Sequence, residues 1–154
     1  MMKNKKLGIY IHIPFCARKC NYCDFLSFPA DEDTQRQYVK ALCKEISYYG
    51  AHCRDYVVST VYIGGGTPSW LWESDMAAIM DAVHKNFALL PDAEVSVECN
   101  PGTVTAQKFA VYRQSGINRI SLGLQSAQNV ELKMLGRIHT WEQFLKTYEL
   151  ARAG

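Results

Sequence analysis

The stretch Leu7-Gly-Ile-Tyr-Ile-His-Ile-Pro-Phe-Cys16-Ala-Arg-Lys-Cys20-Asn-Tyr-Cys23 decides how the rest of the chain is read. Its first part is a short apolar run rich in isoleucine, the composition of a strand. Its second part sets three thiols within eight residues as Cx3Cx2C. The order predicts a cysteine loop hung on the end of a strand. Thiolates hold Fe–S clusters, ordinarily one for each iron, so a cubane held by three local cysteines keeps one iron open to a chelating ligand.

Three thiols at this spacing have other uses. Structural zinc usually takes four ligands from two short Cys or His pairs, and the chain offers no second CxxC and no HxxxH. A redox pair at Cys20-Asn-Tyr-Cys23 leaves Cys16 without a purpose. Disulfides between such close neighbours can hardly staple a fold, and nothing marks the chain as secreted. A zinc-stabilised binding module and a dithiol pair stay open as alternatives.

Outward from this loop, strand and helix signals alternate. Asp31-Glu-Asp-Thr34 offers caps for a first helix on which Tyr38, Leu42, Ile46 and Tyr49 recur at helical spacing up to Gly50. Val57 to Ile63 reads as a strand buried on both faces. Glu73 to Leu89 reads as a second helix, with Met76, Ile79, Met80, Val83 and Phe87 on one side and Pro91 as its close. Glu94 to Glu98 is a third strand, Val104 to Ser115 a third helix stopped by Gly116, and Arg119 to Leu124 a fourth strand. Asn129 to Leu135 and Trp141 to Ala153 read as two further helices. This alternation argues for an α/β fold with a parallel sheet and right-handed crossovers. Four such βα repeats cannot close an eight-stranded barrel, and the end at Gly154 reads like a helix feeding a further strand. Residues 1–154 are therefore expected to be the N-terminal part of a longer protein.

Composition excludes several classes. The chain has 154 residues, 48% hydrophobic and 21% charged, enough for a real core. Lys+Arg of 17 against Asp+Glu of 15 leaves +2, too balanced for a nucleic-acid surface. Its basic cluster of Lys3, Lys5 and Lys6 reads as a solvated tail. The apolar run after it stops at Pro14 without a cleavage site, and no stretch reaches the ~20 apolar residues of a membrane span. Six cysteines without a secretory signal point to a reducing cytoplasm.

Chemistry in barrel folds gathers at the C-terminal ends of the strands, and each unusual residue falls there. The cysteine loop follows strand one, Gly64-Gly-Gly-Thr-Pro68 follows strand two, Glu98 closes strand three and Gln125 follows strand four. The glycine run lacks both the P-loop and the GxGxxG pattern. It permits a ligand to approach the backbone closely, with a plain tight turn as the alternative. A carboxylate at the end of a buried strand, as at Glu98, is costly unless paired, and a structural salt bridge would account for it. His12 is expected to orient backbone or cluster, His139 to cap a helix or ligate haem, and His52 and His84 to lie on the surface. Cys43 and Cys53 read as helix and loop thiols with no partner pattern, and Cys99, near the rim, is expected to pack.

Cx3Cx2C preceded by Tyr10-x-His12-x-Pro14-Phe15 resembles the cluster loop of radical S-adenosylmethionine (SAM) enzymes, in the branch of oxygen-independent coproporphyrinogen III oxidases and their haem-chaperone relatives. The resemblance runs from Tyr10 to His139. It implies an open (β/α)6 partial TIM barrel, of which this chain supplies four repeats. It implies a [4Fe–4S] cluster on Cys16, Cys20 and Cys23, with the amine and carboxylate of SAM on the open iron and reductive cleavage to a 5′-deoxyadenosyl radical. It also implies that Tyr10, Tyr22, Gly65, Gly66, Thr67, Glu98, Gln125 and Arg137 surround SAM. No catalytic residue is assigned.

In that branch the oxidases are expected to carry a further cysteine two residues after the third cluster cysteine, where this chain has Phe25. Phenylalanine there resembles the haem chaperones, whose cargo is haem or a porphyrin and whose partner is a haem-acceptor protein. Any membrane contact is expected through that acceptor only, and SAM cleavage is left open. The alternative is a coproporphyrinogen III oxidase of haem biosynthesis.

Overall fold

The computed structural model describes residues 5–154, so that Lys3 of the basic cluster lies outside the described residues. Strand residues point alternately to opposite faces, and this alternation organises the sheet. In β1 (Lys5–Ile13) Ile11 and Ile13 are buried while Tyr10 and His12 turn the other way. Val61 and Ile63 do the same in β2 (Tyr56–Gly65), and Val95 and Val97 in β3 (Leu89–Cys99). With β4 (Arg119–Leu122) these strands form one parallel sheet in the order β1-β2-β3-β4.

Helices cover the apolar face. Val39, Leu42 and Ile46 of α1 (Glu32–His52), Met76, Ile79, Met80 and Val83 of α2 (Glu73–Asn86), and Phe109 and Tyr112 of α3 (Ala106–Gln114) join the strand valines and isoleucines in one core. Each such side chain contributes about 1.5–3 kcal/mol by leaving water. Two further helices follow β4, namely α4 (Asn129–Met134) and α5 (Trp141–Ala153). Among the described residues no helix is long and apolar enough to cross a membrane.

Several local readings are corrected. β2 is not buried on both faces, because Thr60 is exposed and Tyr62 half-buried on the side away from the helices. The second helix ends at Asn86 instead of Leu89, since Phe87 N–H already closes on Val83 O at 2.9 Å. Leu89 then pairs with Val58 in β3, and Pro91 falls where the β2–β3 register shifts, a place that tolerates the missing N–H. Gly50 is no stop; it is buried inside α1, where a Cβ would stand 2.6 Å from Asn86 Cβ at the helix crossing. Gly116 does stop α3, at φ +88. Asp31 caps α1 by accepting from Thr34 N–H at 2.8 Å, and that bond holds its carboxyl below the usual range. α3 begins at Ala106, capped by Thr105, two residues later than the expected Val104, and β4 ends at Leu122, two residues before the expected Leu124.

Candidate functional site

The cysteine loop is tied at both ends. Phe28 N–H donates to Pro14 O at 2.9 Å and Cys16 N–H to Phe28 O at 3.3 Å, closing the loop on itself. Phe15, 1% exposed, anchors this closure edge-on between Phe28 and Tyr38, with ring centroids 5.7 and 5.2 Å away. His12 fixes the far side. Its Nε2–H donates to Leu26 O at 3.0 Å while Nδ1 accepts from Tyr10 Oη at 2.9 Å, so the histidine orients loop backbone as expected. Asn21 clamps the middle to the end of α4, donating from its backbone N–H to Leu135 O at 3.1 Å and from Nδ2 to Met134 O at 3.0 Å.

Cys16 is buried and Cys20 and Cys23 are half-buried, and all three line a cavity of about 230 Å³ at the C-terminal ends of the strands. Burial pushes the Cys16 thiol up, opposed by a hydrogen bond from Ser27. Among the described residues no three His, Cys, Asp or Glu side chains converge on one ion position.

The glycine run forms the next wall. Gly66 N–H donates to Ile13 O at 2.8 Å and Thr67 N–H to Phe15 O at 2.6 Å, which carries the β1–β2 pairing past the sheet and onto the cysteine loop. A Cβ on Gly66 would lie 2.6 Å from Phe15 O; Gly65, at φ +120, would put one 2.8 Å from the His12 ring. The protein's own chain therefore requires glycine at these two positions. Beyond them the 3-10 turn Pro68–Trp70 leads into α2.

Glu98 faces the same cavity from β3. Tyr62 Oη donates to its Oε1 at 2.7 Å and Gly65 N–H to its Oε2 at 3.1 Å. Those bonds hold it, and among the described residues it makes no salt bridge. The hydrogen bond to Glu98, then burial, pushes the Tyr62 phenol up.

Arg137 spans the opening. Its Nη2 donates to Asn100 Oδ1 at 2.9 Å and Gly123 O at 3.2 Å, and its Nη1 to Tyr22 Oη at 3.5 Å and Cys20 Sγ at 3.6 Å. Asn100 ties this fork to the glycine loop by donating from Nδ2 to Thr67 Oγ1 at 2.9 Å. Gln125 also lines the cavity, at φ 69, rare for a residue with a side chain.

Of the sequence-predicted residues, Cys16, Cys20, Cys23, Tyr22, Gly65, Gly66, Thr67, Glu98, Gln125 and Arg137 share this cavity. Tyr10 does not line it; its ring is 60% exposed and stacked on Tyr62 with centroids 6.4 Å apart. His139 does not cap a helix: α5 is capped by Thr140 and Gln143, and His139 is buried, its Nε2 3.2 Å from Leu124 O. Cys99 is buried and its thiol pushed up to about 12, which fits packing. Sequence reasoning missed Asn100, Tyr62 and Asn21. Asn100 carried a usable signal, since it follows the third strand at the same rim.

Three thiols on a clamped loop, with an arginine fork and a carboxylate opposite, fit a thiolate-held cluster carrying a ligand of mixed charge. The Radical SAM superfamily matches this chain over residues 10–154, and the chain belongs to that superfamily. It is a family of SAM and [4Fe–4S] proteins. Among particular relatives, the chain is 41% identical over 152 residues to "Heme chaperone HemW" of Escherichia coli (strain K12), covering 98% of this chain and 40% of that protein. It is 40% identical over 142 residues to the protein of the same name from Mycobacterium tuberculosis (strain ATCC 25618 / H37Rv), covering 90% and 36%. Among solved structures it resembles coproporphyrinogen III oxidase (HemN) from Escherichia coli, described as a radical SAM enzyme, with TM-score 0.90 and 28% identity over 98% of this chain and 35% of that one. The chain thus spans about two-fifths of the length of the curated relatives it matches.

Proposed function

We propose that residues 1–154 are the cofactor-holding N-terminal part of a radical SAM haem chaperone, a protein that binds haem and passes it to an acceptor protein in the cytoplasm. In this reading Cys16, Cys20 and Cys23 hold a [4Fe–4S] cluster. When bound, the cluster supplies an open iron for the amino-acid end of SAM and an electron at low potential. The residues around it bind and orient. Gly65, Gly66 and Thr67 give backbone and hydroxyl groups on a fixed loop. Glu98, held by Tyr62 and Gly65, turns its remaining lone pairs to a cationic or hydroxyl donor. Arg137 provides a charge-assisted fork for a carboxylate. Tyr10, Tyr22 and Gln125 complete the SAM side.

The observation that carries the haem reading is Phe25, which lines the cavity where the oxidase branch is expected to place a further cysteine. Identity of 41% to a haem chaperone, against 28% to the oxidase structure, supports it. The close structural likeness to that oxidase favours a second reading, oxygen-independent decarboxylation of coproporphyrinogen III. Anaerobic incubation of the reconstituted full-length protein with SAM and coproporphyrinogen III separates them. A haem chaperone leaves the substrate intact and gives a saturable Soret shift on haem titration, whereas rapid decarboxylation without haem binding establishes the oxidase.

A further inference from the structure

Behind the Arg137 fork lies a second, smaller cavity of about 20 Å³, lined among others by Cys20, Thr67, Asn100, Arg137 and His139. Two of its lining residues each carry a buried nitrogen with no hydrogen-bond partner among the described residues, Arg137 Nε and His139 Nδ1. Their chemistry is complementary. A guanidinium Nε always carries a hydrogen and donates. His139 Nε2 lies 3.2 Å from the carbonyl oxygen of Leu124, which only accepts, so the hydrogen of a neutral ring sits on Nε2 and Nδ1 is left as an acceptor. A donor and an acceptor, both out of reach of solvent, each lose their hydrogen bond to water and destabilise the fold when left unpaired.

We propose that this cavity holds one structural water, which accepts from Arg137 Nε–H and donates to His139 Nδ1, and that His139 is thereby a positioning residue for the SAM site. The volume suits a single water, for which about 10–15 Å³ suffices. His139 is 4% exposed, so its ring cannot trade this partner for solvent. Burial, and then the Arg137 charge, pushes the imidazole below its ordinary range, in keeping with a neutral ring. Its two nitrogens act on two parts of the site. Nε2 pins the carbonyl of Leu124, directly before Gln125, whose left-handed backbone at φ 69 needs an outside restraint. Nδ1, through the water, fixes the rotation of the guanidinium about its stem, which aims Nη1 and Nη2 at Cys20, Tyr22, Asn100 and Gly123. His139 touches neither the thiols' ligand nor SAM in this account.

The proposal rests on Arg137 facing SAM, and the test keeps the two claims apart. Equilibrium binding of SAM to the anaerobically reconstituted full-length protein is compared for the unaltered chain, His139→Leu and His139→Gln. Outer residues of this kind typically change affinity about 10- to 100-fold. His139→Leu is expected to bind SAM at least about tenfold more weakly with unchanged iron content, and His139→Gln, whose amide can still donate to Leu124 O, to recover part of the loss. Equal affinity in all three overturns the positioning role; failure of the unaltered protein to bind SAM overturns the site assignment instead. A crystal structure of the reconstituted protein gives the second readout, independent of any variant's folding. An ordered water within hydrogen-bond distance of both nitrogens is the expected result, and a dry cavity or a ring turned with Nδ1 toward Leu124 contradicts it.

Discussion

The two faces of the sheet follow opposite rules. On the helix side Ile13, Ile63 and Val97 are each 0% exposed and fuse into one apolar core. On the other side, one residue away along the same strands, stand His12, Tyr62 and Glu98: Tyr62 donates directly to Glu98, which also accepts from Gly65 N–H, and His12 bonds the Tyr10 hydroxyl and Leu26 O. Lower down, Glu94, Ser96 and Arg119 form a further polar group on that side. Because the strand period is two, a single step in the chain moves a position from stability to chemistry. Substitutions one residue apart should therefore fail in different ways.

The largest separation is expected at the loop that the polar face supports. Cys20→Ala should abolish the broad absorbance near about 400 nm that thiolate-to-iron charge transfer gives, together with iron retention, while the helical far-ultraviolet signal is kept. On the apolar face Ile63→Ala leaves a cavity in a fully buried position and should lower stability by about 2–5 kcal/mol. Thermal unfolding would register this as a fall in Tm with iron content at saturation unchanged.

Glu98→Gln, its immediate counterpart on the polar side of β3, should do the reverse. SAM affinity is expected to drop about tenfold as one charge-assisted contact weakens, with Tm little moved. A Glu98→Gln protein that unfolds but binds SAM normally when cold would break the division between the faces. The smallest effect is expected inside the core itself. Tyr112 is 1% exposed, its hydroxyl has no partner among the described residues, and burial pushes the phenol well up. Tyr112→Phe removes an unmet polar group and should change stability by less than about 1 kcal/mol, in the favourable direction if at all.

Much of this arrangement was legible in the sequence because it depends on local pattern. The apolar run Leu7–Ile13, the β-branched run before the glycines, and the rule that chemistry sits at strand ends together located the cysteine loop, Glu98 and Gln125 on one rim. The errors have physical reasons. β2 reads as doubly buried because Val57, Val58, Val61 and Ile63 crowd a short segment, and only the fold shows that Thr60 and Tyr62 look away from the helices. Pro91 reads as a helix stop because its tolerance at a register shift depends on β2, a partner remote in sequence. Gly50 and Gly66 are demanded by neighbours more than thirty residues away, Asn86 and Phe15, so their signal is long-range. Asn100 and Asn21 act by cross-linking loops, and an asparagine in a loop looks the same whether it spans or merely turns.

Everything assigned to the polar face depends on three thiols leaving one metal vertex open. Iron analysis and Mössbauer spectroscopy of the anaerobically reconstituted full-length protein, before and after SAM, test this most directly. About four irons per chain, one of them changing its signal when SAM is added, is the expected result. A protein that holds no cubane, or one whose irons are all indifferent to SAM, contradicts it.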